Sequence, residues 1–218
     1  MTRRLAAALL AGLALGCGDI NAPIRPVGYE YRVFLPAGGS GVDTLAFAWP
    51  ASRLPMKIYV EDALDYPARM QRAVDQWKSQ FLYGEFDAEL VSDSNAADVI
   101  VRPEAAPESG PIVPLRMLRR ARECEGATDL AIDVDARVIQ LPMRIYVRPL
   151  ADAGPALESC LDVTLAHELG HALGLFEHSP DAADLMASDP VAPAPTERDR
   201  ATAERMFHGT TTLTVADR

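Results

Sequence analysis

Apolar and polar residues alternate through Met56-Lys57-Ile58-Tyr59-Val60, and a strand is expected there. Asp65 then stands where a helix N-cap should be, with Pro67 in the first turn. Met70, Val74, Trp77 and Phe81 follow at helical spacing and make an apolar stripe that reads as core packing. Phe86 to Val91 and Ala97 to Val101 are expected as further strands, before a long irregular stretch from Pro103 to about Asp129. Within it, Arg116, Arg119, Arg120 and Arg122 read as a solvated helical face beside Glu123 and Glu125. Val138 to Leu141 and Arg144 to Val147 are strand-like, and Pro142 between them predicts an edge or a bulge. A long helix is expected from near Pro155. Leu161, Leu165, Leu169 and Ala172 would face the sheet, with Thr164, His167 and His171 on the other side. After the connector Pro190 to Pro195, Thr196 and Asp199 form a capping-box pattern for a last helix that runs to about Phe207 and stops at Gly209. Upstream, Tyr29 to Leu35 and Thr44 to Trp49 can pair as a hairpin inside a stretch broken by Pro23, Pro26, Pro36 and Gly38-Gly39-Ser40-Gly41. The whole order is that of an α+β protein.

The long helix also carries the chemistry. It contains His167-Glu168-Leu169-Gly170-His171-Ala172-Leu173-Gly174-Leu175-Phe176-Glu177-His178. Histidines four apart on a helix share one face and can hold a single metal ion. Glu168, next to the first of them, can act as a general base on a metal-held water. Gly174 can take the left-handed backbone that ends a helix and turns the chain back toward His178. Three histidines with an open fourth position make a catalytic zinc site. Of the chain's four histidines, only His208 lies outside this segment, and chance placement does not explain that clustering.

On these residues the chain resembles the metzincin clan of zinc metalloendopeptidases, and within it a matrixin-like bacterial branch. The usual clan pattern is HExxHxxGxxH followed by a methionine-bearing turn. Here Glu177 occupies the third histidine's usual place and His178 follows one residue later. The resemblance favours His178 as third ligand, with Glu177 as the alternative, and it implies that Met186 in Asp184-Leu185-Met186-Ala187-Ser188 is the turn methionine. It also implies one catalytic Zn2+. The implied fold is a zincin/metzincin-like catalytic domain, with a twisted mixed β-sheet, a backing helix, an active-site helix and a C-terminal helix. The implied substrate is an extended peptide along a sheet edge. The likeness spans roughly residues 55 to 208 and is strong from 164 to 188. No cysteine-switch segment of the matrixin type is read upstream, so any latency uses another device.

The N-terminus reads as an export signal, with Arg3 and Arg4 ahead of a short apolar run from Leu5 to Leu15. Leu13-Ala14-Leu15-Gly16-Cys17 looks like a bacterial lipobox, although Ala14 stands where leucine is commoner. A lipid on Cys17 would place the chain on the cell envelope as a lipoprotein. A plain signal peptide would make it a secreted protein. Cys124 and Cys160 then remain, an even number for an oxidising compartment, and a disulfide between them is expected. The rival role for Cys160 is metal ligation, but two helical turns separate it from His167, roughly 10 Å, too far to share one ion.

Hydrophobic residues make up 49% of the chain, enough for a real core. The formal net charge is −10, and loss of the signal's two arginines takes it to about −12, which argues against nucleic acid as a partner. The expected division is a signal peptide over 1–16, a tether and N-terminal extension over 17–54, one catalytic domain over 55–208 and a tail over 209–218. A monomer acting on protein or peptide substrates is expected. The competing expectation, from a different class, is a lipid-anchored binding or structural module with a vestigial zinc site.

Overall fold

The computed structural model describes residues 27–36, 41–107 and 114–216. The signal peptide, Cys17 with its lipidation motif, and most of the glycine run near residue 40 lie outside the described residues. Strands β1 (Val33–Pro36) and β2 (Val42–Leu45) pair as an antiparallel hairpin. It sits in the expected place, with its second strand shifted toward the turn. The main sheet is built from β3 (Met56–Val60), β4 (Ala88–Val91), β5 (Val99–Arg102), β6 (Pro114–Arg120), β7 (Cys124–Asp133), β8 (Val138–Pro149) and β9 (Thr214–Val215). Its order is β4-β3-β5-β8-β7-β6, with β9 beside β8. The contacts β3–β4, β3–β5, β5–β8 and β8–β9 are parallel, whereas β7–β8 and β6–β7 are antiparallel. The fold is thus α+β with a mixed sheet.

Among the described residues three α-helices complete it: α1 (Tyr66–Lys78), α2 (Pro155–Leu173) and α3 (Glu197–Phe207). Helix α1 buries Met70, Val74 and Trp77, and its stripe ends on buried Phe81 beyond the helix. Each such side chain contributes about 2–3 kcal/mol through apolar burial. Trp77 also donates Nε1–H to the Ala166 carbonyl at 2.8 Å, which ties α1 to α2 one residue before His167. Asp65 does precede α1, but its side chain makes no capping bond. Its backbone is left-handed (φ 56°), so Pro67 with its preset φ does more to start the helix. At α3 the expected capping box is present, with Thr196 and Asp199 bonded reciprocally.

Two expectations are corrected. The stretch expected to be irregular as far as about Asp129 instead enters, from Pro114 on, a seven-residue strand and then a ten-residue one. Its arginines are not a helical face: Arg116 pairs with Asp129 across the strands, and Arg119 is buried. Pro142 does not mark a sheet edge. It lies inside β8, and the bulge, the other reading of that proline, falls there: Gln140 pairs with Ala131 and Arg144 with Asp129, so the residues around Pro142 oppose Leu130 alone. Upstream of residue 55, Tyr29, Tyr31, Phe47 and Trp49 belong to the common core. Beyond residue 208, β9 joins the sheet and Leu213 is buried. Among the described residues, no helix is long and apolar enough to cross a membrane.

Candidate metal centre

Helix α2 changes character along its length. Its first two turns expose Pro155, Ala156, Glu158 and Ser159, whereas every residue from Val163 to Leu173 is buried. It is therefore not the two-faced helix expected from the pattern: sheet, α1 and the segment after it cover all sides. Gly174 ends it at φ 124°, a backbone that L side chains rarely adopt, and a Cβ there would strike the Phe47 carbonyl. The chain turns back, and His178 arrives beside the helix.

His167, His171 and His178 come together with ligand atoms within 4.8 Å of one another, a group that could hold a metal ion. His171 Nε2 lies 3.0 Å from His167 Nε2 and 3.3 Å from His178 Nε2. Glu177, the alternative ligand, is exposed and outside this group. The hydrogen bonds fix the tautomers. His167 Nδ1 donates to the Leu185 carbonyl at 2.7 Å, and His171 Nδ1 donates to the Leu175 carbonyl at 2.5 Å. A neutral imidazole that donates from Nδ1 presents a lone pair at Nε2. Burial, the largest cause, lowers the His167 pKa from 6.5 to about 3 and drives that of His171 well below 6.5. The doubly protonated forms that could place a proton between the rings are thus disfavoured. Between His167 and His171 two lone pairs face each other with no proton between them, and with His178 beside them the arrangement fits a cation.

The turn holding Met186 keeps His167 in place. Met186 is buried, and its carbonyl accepts from Ser179 N at 2.8 Å, which joins the turn to the residue after His178. Asp199 anchors that turn from below. It accepts from Leu185 N (2.9 Å), Met186 N (3.3 Å), Thr196 N (2.8 Å) and the Tyr29 hydroxyl (2.7 Å). Burial first, then the Asp199 charge, raises the Tyr29 pKa, so the phenol stays a donor.

Glu168 is fully buried under β7. Thr128 Oγ1 is 2.7 Å from Glu168 Oε2 and 3.0 Å from the Glu168 carbonyl, while Oε1 has no hydrogen-bond partner. Burial is the main reason its pKa rises from 4.5 to about 8; Thr128 and Arg119 oppose the rise. Gly126 makes this approach possible, because a Cβ there would lie 2.6 Å from Glu168 Oε1 and collide with Thr164. Thr164, expected beside the histidines, instead accepts from Arg119 Nη1 and touches Cys124 Sγ at 3.1 Å. Cys124 and Cys160 form a disulfide that joins β7 to α2 and takes no part in the histidine group.

Gly126, Thr128, Arg119 and the wider role of Asp199 were not read from the sequence. One signal was present: Cys124, Gly126 and Thr128 are small residues at every second position, as suits a strand lying close on a helix. Neither protein-family models nor curated proteins give a match to this chain.

Proposed function

We propose that the chain is a zinc-dependent metalloendopeptidase with a metzincin-like catalytic domain. The observation that carries this is the convergence of three histidine Nε2 atoms, two of them oriented by backbone carbonyls, on the same helix as an adjacent buried carboxylate. Three neutral nitrogen donors and an open position suit zinc. His167, His171 and His178 would hold the ion. Zinc, when bound, supplies a Lewis acid for water and carbonyl and a positive charge that favours ionised Glu168. Glu168 Oε1, free of other partners, takes a proton from the attacking water and returns it to the leaving amine. Thr128 holds the other carboxylate oxygen, which fixes the direction of that transfer. Helix α1, the mixed sheet, the Met186 turn and α3 follow in the order the resemblance implies, which supports the fold reading. The disulfide supports an exported protein, and Cys17 is its proposed lipid anchor.

The complete burial of Glu168 favours a second reading, a binding module whose zinc site is vestigial. Casein cleavage separates the two. Activity that is lost on chelation and restored by zinc supports the peptidase. A chain that holds one zinc and cleaves nothing supports the module.

A further inference from the structure

The strand over Glu168 is β7, through Thr128 and Gly126. Its outer edge is filled by β6 along the whole length of that strand, with Arg119 opposite Gly126 and Met117 opposite Thr128. Neighbouring strands lie about 4.8 Å apart, so the position adjoining β7 is close to Glu168, whereas a strand added outside β6 would lie roughly 10 Å from β7. An extended peptide that binds by adding a strand reaches Glu168 only in the place β6 now holds.

Arg119 marks that place. Alternation along β6 is inverted here: Leu118 is 44% exposed and Arg119 only 4%. Its guanidinium has no carboxylate at ion-pair distance among the described residues, and its Nε has no hydrogen-bond partner. It bonds the neutral Thr164 hydroxyl one helical turn before Glu168. The acids that favour its charge are Glu168, then Asp189 and Glu123. A buried, incompletely satisfied cation costs stability, and a break in local pattern is expected where function overrides folding. The disulfide fastens β7, not β6, to α2. Departure of β6 therefore leaves β7 and Glu168 in place.

We propose that β6 occupies the strand position of the substrate, with Arg119 standing in for a substrate side chain. The site then takes an extended segment with a basic residue there, and it works only once β6 has moved off β7. This rests on the peptidase reading. The zinc-loaded full chain is assayed on two fluorogenic peptides that differ only by Arg or Glu beside the cut. Arg119→Ala should raise kcat/KM on the Arg peptide by roughly tenfold or more, as expected when a minor open state becomes the major one. The Arg peptide should be cut faster than the Glu peptide. Wild-type cleavage that Arg119→Ala fails to raise, or a preference for the Glu peptide, overturns the proposal. Should Arg119→Ala not fold, hydrogen exchange on the wild type decides, with an excess of an Arg-bearing peptide hydroxamate. Amides of Leu115 to Arg120 should exchange faster while those of β7 do not. Unchanged or slower exchange in β6, whether the probe binds elsewhere or not at all, overturns the proposal. A chain that cleaves nothing yet shows this exchange loses the peptidase reading and keeps the displaced strand.

Discussion

The two walls of the histidine site are built differently. On the side of the Met186 turn the groups that orient two of the imidazoles are partnered: Leu185 and Leu175 carbonyls hold the rings of His167 and His171, and Asp199 gathers donors from Leu185, Met186, Thr196 and Tyr29. On the side of β6 and β7, two buried atoms of opposite character stand without partners, Glu168 Oε1 and Arg119 Nε. A fully satisfied network rigidifies, whereas unpaired buried groups are costly and persist where something else must bind. In the proposed function the first wall holds ligands still and the second meets a reacting group. A disulfide ties the second down alongside the Thr128 and Thr164 hydrogen bonds.

Reduction tests that difference with the largest expected loss. The bridge closes a loop over a sequence separation of 36, so opening it should cost about 4 kcal/mol in the chain-entropy account. Zinc binding should survive, because the imidazoles are held from the other wall. Denaturant melts with metal titration check both parts, and loss of zinc on reduction would contradict the division. Asp199→Asn attacks the satisfied wall. Its amide puts a donor where donors converge, and about 3 kcal/mol should be lost, from one or two unsatisfied buried groups. Here zinc affinity should fall as well, since Leu185 positions His167. Gly126→Ala presses on the looser wall. Its Cβ meets Thr164 and Glu168, and overpacking of that kind costs about 2 kcal/mol. Cleavage should drop far more than zinc content does.

The smallest effect is on pH, in the metal-free chain. The folded-state value of His167 is about 3 against 6.5, so between those values the unfolded chain binds more protons. The stability this group contributes is present above 6.5 and is lost as pH falls toward 3. His171 adds in the same direction. Glu168 acts oppositely: its folded value is about 8 against 4.5, so its contribution is present below 4.5 and is lost as pH rises through 8. Thermal melts in chelator should be highest near pH 6.5, with the acid side the steeper. A flat profile from pH 5 to 8 would mean that these groups are hydrated.

The histidine pair, Glu168, Gly174 and the α3 capping box were legible because each depends on residues a few positions apart. β3 and the apolar stripe of α1 were legible for the same reason, through clean periodicity. β6 was not, because Leu118 faces out and Arg119 faces in, which erases the alternation that marks a strand. Pro142 was legible as a bulge, since the extra residues of β8 lie between Gln140 and Arg144, although no sheet edge falls there. The partners of Glu168 lie 40 residues away in β7, and Tyr29 lies 170 residues from Asp199. Only the assembled sheet brings such pairs together.

The central claim is that His167, His171 and His178 hold zinc while Glu168 moves the proton. Zinc stoichiometry and peptide cleavage, measured side by side for wild type and Glu168→Gln, test it most directly. The expected result is one zinc per chain in both proteins, with cleavage by the variant reduced by about 10²-fold to 10⁴-fold, as for loss of a general base. Cleavage within a factor of about two of wild type would contradict the role of Glu168, since removing the base could not leave the rate intact. Absence of zinc from the wild type would contradict the metal centre itself.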